Sequence, residues 1–232
     1  MIEPELPVEG PGVPVASLGW AQAWKTALTE PNEAAYQRLV EDPRASLGRA
    51  VVWTFVATCI TSLLLLGIQF LFGGMFGAAD ELSLLVPQED WPALSAVGLG
   101  AMACLVPFAG VFSAMGLVLY AAILQFIAGA FGGLGTVSRL AYALAAYSAP
   151  LAILTAFLAL IPLVGSCVSL PLGIYGVVLN ILAVKVVNRF GWGPALMTFV
   201  AWVVIVILIS VVLGLLFYRA IPWETLLNLP ND

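Results

Sequence analysis

The sequence predicts an all-α protein, a polytopic membrane helix bundle with five transmembrane helices, preceded by two short amphipathic interfacial helices. Three observations predict it. Of 232 residues, 62% are hydrophobic and only 9% are charged, whereas an average soluble domain carries about 25% charged side chains. The few charges are clustered, leaving residues 50–79, 91–138, 140–184 and 190–218 without any Asp, Glu, Lys or Arg. The basic residues between these intervals favour one orientation across a bilayer. The same numbers argue against a large soluble enzyme and a disordered chain. A net charge of −5 argues against nucleic acid as a partner, because phosphate-backbone binding needs an excess of Lys and Arg.

Residues 1–16 hold four prolines and three glutamates, the composition of a disordered cytoplasmic tail. They lack the basic start and apolar run of a secretory signal. Residues 17–49 form the next unit, with two helical patterns. Ser17 is a candidate N-cap for a helix to about Leu28, with Trp20, Trp24 and Leu28 on one face. Asn32 is a candidate cap for a second, with Tyr36, Leu39 and Val40 together and an end before Pro43. Their apolar sides lie in the interface or dock onto the ends of the spans.

A hydrocarbon core of about 30 Å takes about 20 helical residues. Residues 50–218 therefore hold spans at about 50–72, 96–130, 140–161, 167–187 and 194–217. The run Ile161-Pro162-Leu163-Val164-Gly165-Ser166 divides the third interval. The second has only Pro107, which predicts one long helix, tilted or kinked, its first part at the interface. With the N-terminus cytoplasmic, five spans place Lys25, Arg38, Arg44, Arg49, Arg139, Lys185 and Arg189 inside and Arg219 outside, a 7:1 division. Six spans would give 5:3. The expected location is the cell membrane, multi-pass, with residues 73–95 (Asp80, Glu81, Glu89, Asp90) and the tail 219–232 external. Trp91 and Trp223 then fall at an aromatic belt.

The membrane interior offers little chemistry. Positions 43–79 and 91–223 contain no Asp or Glu, and the chain has no His, so coupled transport by a buried carboxylate has no candidate residue. Ser148, Ser169 and Lys185 are raw material for a hydrolase, but no spacing joins them. No catalytic residue, metal or cofactor is expected. Cys59, Cys104 and Cys167 are too far apart for a metal or disulfide framework and read as buried structural thiols. Weakly polar residues predict hydrogen bonds between helices; Gln125 and Asn180 are the candidate intramembrane polar positions. Small residues at Ala141/Ala145/Ala149, Gly110/Ala114, Gly129/Gly133 and Gly176/Asn180 would let helices approach closely, within the chain or in an oligomer. The glycines of Gly129-Ala130-Phe131-Gly132-Gly133-Leu134-Gly135 mark a cytoplasmic turn, with Thr136 or Ser138 capping the next helix and Arg139 at the headgroups. The phosphate-cradle spacing G-x-x-x-x-G-K-[ST] is absent.

The run Gly132 to Tyr142, Ala149-Pro150, the stretch Ile174-Tyr175-Gly176-Val177-Val178-Leu179, and Val184-Lys185-Val186-Val187-Asn188-Arg189-Phe190 with Pro194-Ala195 resemble the Yip1-domain family. So do Trp20-Ala21-Gln22-Ala23-Trp24 and Asp42-Pro43; the resemblance covers most of residues 17–218. It implies five spans and a cytosolic N-terminus. Trp20, Trp24, Gly132, Gly133, Gly135, Arg139, Pro150, Tyr175 and Lys185 are then the family-motif and interaction candidates. Eukaryotic relatives act in vesicle traffic and bind Rab-type GTPases. Here the Asp-Leu-Tyr-Gly-Pro-type motif is replaced by Asp42-Pro43-Arg44-Ala45-Ser46, and the short N-terminus resembles the prokaryotic branch, so GTPase binding does not carry over. The expected function is a non-enzymatic membrane protein that organises the bilayer or recruits partners. The alternative is a transporter or channel for a neutral or lipidic solute.

Overall fold

The computed structural model describes residues 17–72 and 91–220. They form seven helices: α1 (Trp20–Thr29), α2 (Glu33–Val40), α3 (Leu47–Phe72), α4 (Trp91–Ala130), α5 (Val137–Leu158), α6 (Pro162–Asn188) and α7 (Trp192–Ala220). Among the described residues there is no strand. Helices α3 to α7 each contain a stretch long and apolar enough to cross a membrane. The expected tail 1–16, most of the acidic external loop, and Trp223 lie outside the described residues.

Helix α5 is the centre of the bundle. It packs on α3, α4 and α6, and on both α1 and α2. Every residue from Leu140 to Tyr147 is buried, because alanines at 141, 143, 145, 146 and 149 let neighbours close in from all sides. On α4, Gly110 does the same for α3: a methyl group there would stand 2.7 Å from the Phe55 ring. One turn away the Thr58 hydroxyl donates to Ser113 Oγ at 2.9 Å. Gly176 lies against Leu151, but Gly129 faces open space and serves no helix contact. Helix α7 rests on α4 and α6 through Ala195, Thr198 and Trp202, whose ring meets Tyr120 at 5.1 Å. From Val203 to Arg219 it is exposed on every side.

Several expectations are corrected. The N-cap of α1 is Gly19, not Ser17. The Leu18 N–H and carbonyl are taken by Asp42 and Arg49, and the extended backbone of Gly19 follows before the helix begins. The break before α6 is shorter than the run Ile161–Ser166, because Pro162 opens the helix in its first turn, where its missing N–H leaves no bond unmade. Helix α4 begins at Trp91 and runs unbroken through Pro107. Cys104 and Cys167 are exposed and Cys59 is half-buried: apolar neighbours in a span mean lipid contact as often as protein burial. Asn32 caps α2 as expected, accepting from the Ala35 N–H at 2.8 Å. The two short helices dock onto the ends of the spans, with Ala23, Ala27, Tyr36, Leu39 and Val40 buried against them.

Candidate functional site

The end of the bundle that carries α1 and α2 gathers most of the described polar structure. Two charge pairs hold the short helices there. Asp42, following α2, is fully buried at its side chain and pairs with Arg49 of α3 at 3.5 Å. It also accepts the Leu18 N–H at 3.2 Å, the Arg44 N–H at 2.9 Å and the Tyr142 hydroxyl at 3.4 Å. Arg49 in turn donates to the Leu18 carbonyl at 2.8 Å and stacks 4.9 Å from the Trp53 ring centre. A buried ion pair is tolerated only with such added bonds, since each charge is expensive to desolvate. Around it Trp20 and Trp24 meet the buried Trp53 edge-on at 6.0 and 5.9 Å, and Tyr142 lies 5.0 Å from the same ring.

The second pair joins Lys185 of α6 to Glu33 of α2. The Lys185 ammonium also sits 4.0 Å above the Trp192 ring, a cation–π contact strengthened by burial. Nearby, the Tyr175 hydroxyl donates to the Leu28 carbonyl, tying α6 to the end of α1. The Tyr36 phenol donates to the Ala27 carbonyl at 3.3 Å. Burial pushes that phenol well above its ordinary range, which keeps the donating proton in place.

The glycine turn between α4 and α5 closes the same end. Helix α4 finishes in a Schellman motif: the Gly133 N–H reaches the Ala128 carbonyl and the Gly132 N–H reaches Gly129, with Gly132 at φ +86°. Helix α6 finishes the same way, through Phe190 to Lys185 and Arg189 to Val186. The two ends fit together. Side-chain-free Gly133 and Gly135 leave room for Asn188, Val187 and Phe190, which a methyl group would meet at 2.5–2.9 Å. Asn188 Oδ1 accepts the Gly135 N–H at 3.2 Å and the Gln125 amide at 2.7 Å, and the same amide donates to the Gly135 carbonyl at 3.0 Å.

Of the two intramembrane candidates, Gln125 therefore belongs to this turn. Asn180 lies deeper, its amide donating to the Tyr120 and Tyr147 hydroxyls at 2.7 and 3.0 Å. Both are helix–helix bonds of the kind the sequence predicts. Pro150 stands half-buried inside α5 and Arg139 is exposed in the first turn of that helix. Thus Trp20, Trp24, Gly132, Gly133, Gly135 and Lys185 share one end, where Gln125 joins them; Tyr175, farther along α6 from that end than Asn180, is linked to it through the Leu28 carbonyl. Asn180 and Pro150 stand apart.

Sequence reasoning missed Glu33, Arg49, Trp53 and Asn188 as members of the site. For Asp42 and Arg49 a signal was available: an acid seven residues before the last base at the mouth of an apolar span. The arrangement positions the two short helices on the spans. Among the described residues no group of His, Cys, Asp or Glu could hold a metal ion. No curated protein and no solved structure matches the chain. A family model does, the Yip1 domain, over residues 25–214, a stretch that takes in α2 to α6, half of α1 and most of α7. The chain is thus a multi-pass membrane protein belonging to the Yip1 domain family.

Proposed function

We propose that the protein is a non-enzymatic membrane protein that recruits protein partners at the cytoplasmic face of the cell membrane, with its N-terminus inside and its C-terminus outside. One observation carries this reading: α1 and α2 are locked onto the span ends by Asp42–Arg49 and Glu33–Lys185. They present a fixed polar face of Gln22, Lys25, Gln37, Arg38 and Glu41. A preordered surface binds with less entropy loss than a free segment. Beside it the turn exposes Leu134 at 79% and Phe131 at 48%, apolar contacts of the kind a protein partner covers. The neutral-solute alternative has less support, because the Gln125 and Asn180 amide N–H groups are spent within the bundle, which leaves only their buried carbonyl oxygens unpartnered.

Amine-reactive crosslinking in native membranes tests it. Lys25 and Lys185 are the chain's two lysines; Lys25 is exposed and Lys185 is buried in its ion pair. Reproducible links from Lys25 to a defined protein neighbour are expected, and they should weaken when Asp42→Asn frees the helix pair. A chain that yields no neighbour at Lys25 in its own membrane would overturn the reading.

A further inference from the structure

Between α2 and the adjoining ends of α5 and α6 lies a cleft of about 170 Å³ lined by Gln37, Glu41, Arg139 and Arg189 over a floor of Val186 and Val187. Its charges are not used by the two pairs that hold α2. Arg139, Arg189 and Glu41 form no ion pair among the described residues, although opposite signs face the same space. Arg139 is the third residue of α5 and Arg189 directly follows α6. The cleft is therefore at the level where two apolar spans end, the depth of lipid headgroups.

Arg189 carries a second signal. It occupies the left-handed position of its Schellman motif, φ 55° and ψ 39°, and is the one non-glycine residue with positive φ among the described residues. The equivalent position on α4 is Gly132. Glycine is favoured there because a Cβ crowds the following carbonyl. An arginine is held at a backbone position that prefers no side chain, and its side chain lines the cleft.

We propose that this cleft binds the headgroup of a phospholipid carrying a primary ammonium, its phosphate on Arg139 and Arg189 and its ammonium on Glu41. Two arginines offer charge-assisted bonds to phosphate oxygens, and a lone carboxylate beside them takes the opposite charge of a zwitterion. A quaternary ammonium has no N–H for Glu41, and the aromatic cage that such groups favour is absent from the lining. A purely anionic headgroup would leave Glu41 facing it as a like charge. The cleft shares Gln37 and Glu41 with the polar face proposed for protein partners, but lipid retention needs no partner and is read in its absence.

Native mass spectrometry of the full chain, released from phosphatidylcholine vesicles containing phosphatidylethanolamine or phosphatidylglycerol, tests it. The protein should retain phosphatidylethanolamine in preference to the other two. Arg139→Gln should reduce that retention by at least about tenfold, the scale of one charged hydrogen bond. Arg189→Gly should reduce it similarly while the melting temperature stays level or rises, since glycine relieves the left-handed backbone; this separates a lost ligand from a lost fold. Glu41→Gln should abolish the preference for phosphatidylethanolamine over phosphatidylglycerol. Equal retention of all three lipids by the unaltered chain, or wild-type retention by Arg189→Gly, would overturn the proposal. Displacement of the lipid by inorganic phosphate would also overturn it, assigning the cleft to a free anion.

Discussion

Gly135 and Gly129 stand six residues apart in the same turn region yet differ in what surrounds them. A methyl group at Gly135 would meet Val187 side-chain and backbone atoms at 2.7 and 2.9 Å, whereas one at Gly129 meets nothing within 4 Å. Gly135→Ala should therefore cost about 1–3 kcal/mol, the usual penalty for overpacking. Gly129→Ala should be neutral or mildly stabilising, because alanine loses less backbone entropy in a helix. Thermal unfolding in detergent compares the two. Asn188→Ala leaves the Gly135 N–H and part of the Gln125 amide without an acceptor, and should destabilise by about 1–3 kcal/mol. Asp42→Asn removes the counter-charge of a nearly buried Arg49 and should be more damaging, about 3–5 kcal/mol. Limited proteolysis at the α2–α3 junction would register the release of the helix pair. At this scale the sequence was only half legible. The glycines and Lys185 stood out by type and setting, but the α6 residues that fill the glycine turn and the Glu33 that pairs with Lys185 lie 52 to 152 residues away along the chain, a separation that no local pattern encodes.

The elements range from α5, buried without interruption from Leu140 to Tyr147, to α7, which is nearly all exterior. Around Ala145, which is fully buried, α5 is ringed by protein, so Ala145→Leu should overpack it and lower the melting temperature. Helix α7 leaves the bundle after Trp202, so Leu208→Ala, at a residue 60% exposed, should stay within about 0.5 kcal/mol of the native chain. Equal losses for the two variants would show that α7 is buried in an assembly of chains. Helix number was readable because charges interrupt the apolar runs wherever the chain leaves the membrane. Helix limits were less so. Pro162 signals an end and a beginning alike, and it opens α6, while Pro107 leaves α4 whole. Burial within a span was hidden for another reason: in lipid both faces of a helix are apolar, so Cys104 and Cys167 read as interior but face outward.

For the whole molecule, the scarcity of charge that predicts a five-span bundle also explains how its N-terminal helices are held. Among the described residues, Asp42–Arg49 and Glu33–Lys185 are the ion pairs that cross from those helices to the spans; the first is buried on both sides, whereas in the second Lys185 is buried and Glu33 is half exposed. The proposed cytoplasmic surface depends on that end facing inward. Orientation is tested most directly by single cysteines in a background lacking Cys59, Cys104 and Cys167, labelled in intact cells with a membrane-impermeant thiol reagent. Leu134 suits the inner probe, because it is 79% exposed and, unlike Gly135, packs on nothing that a thiol would disturb. A cysteine at Leu134 should stay unlabelled until the cells are opened, while one at Leu85 or Asn228 should react at once. Labelling of position 134 in intact cells, with 85 and 228 protected, would contradict the account.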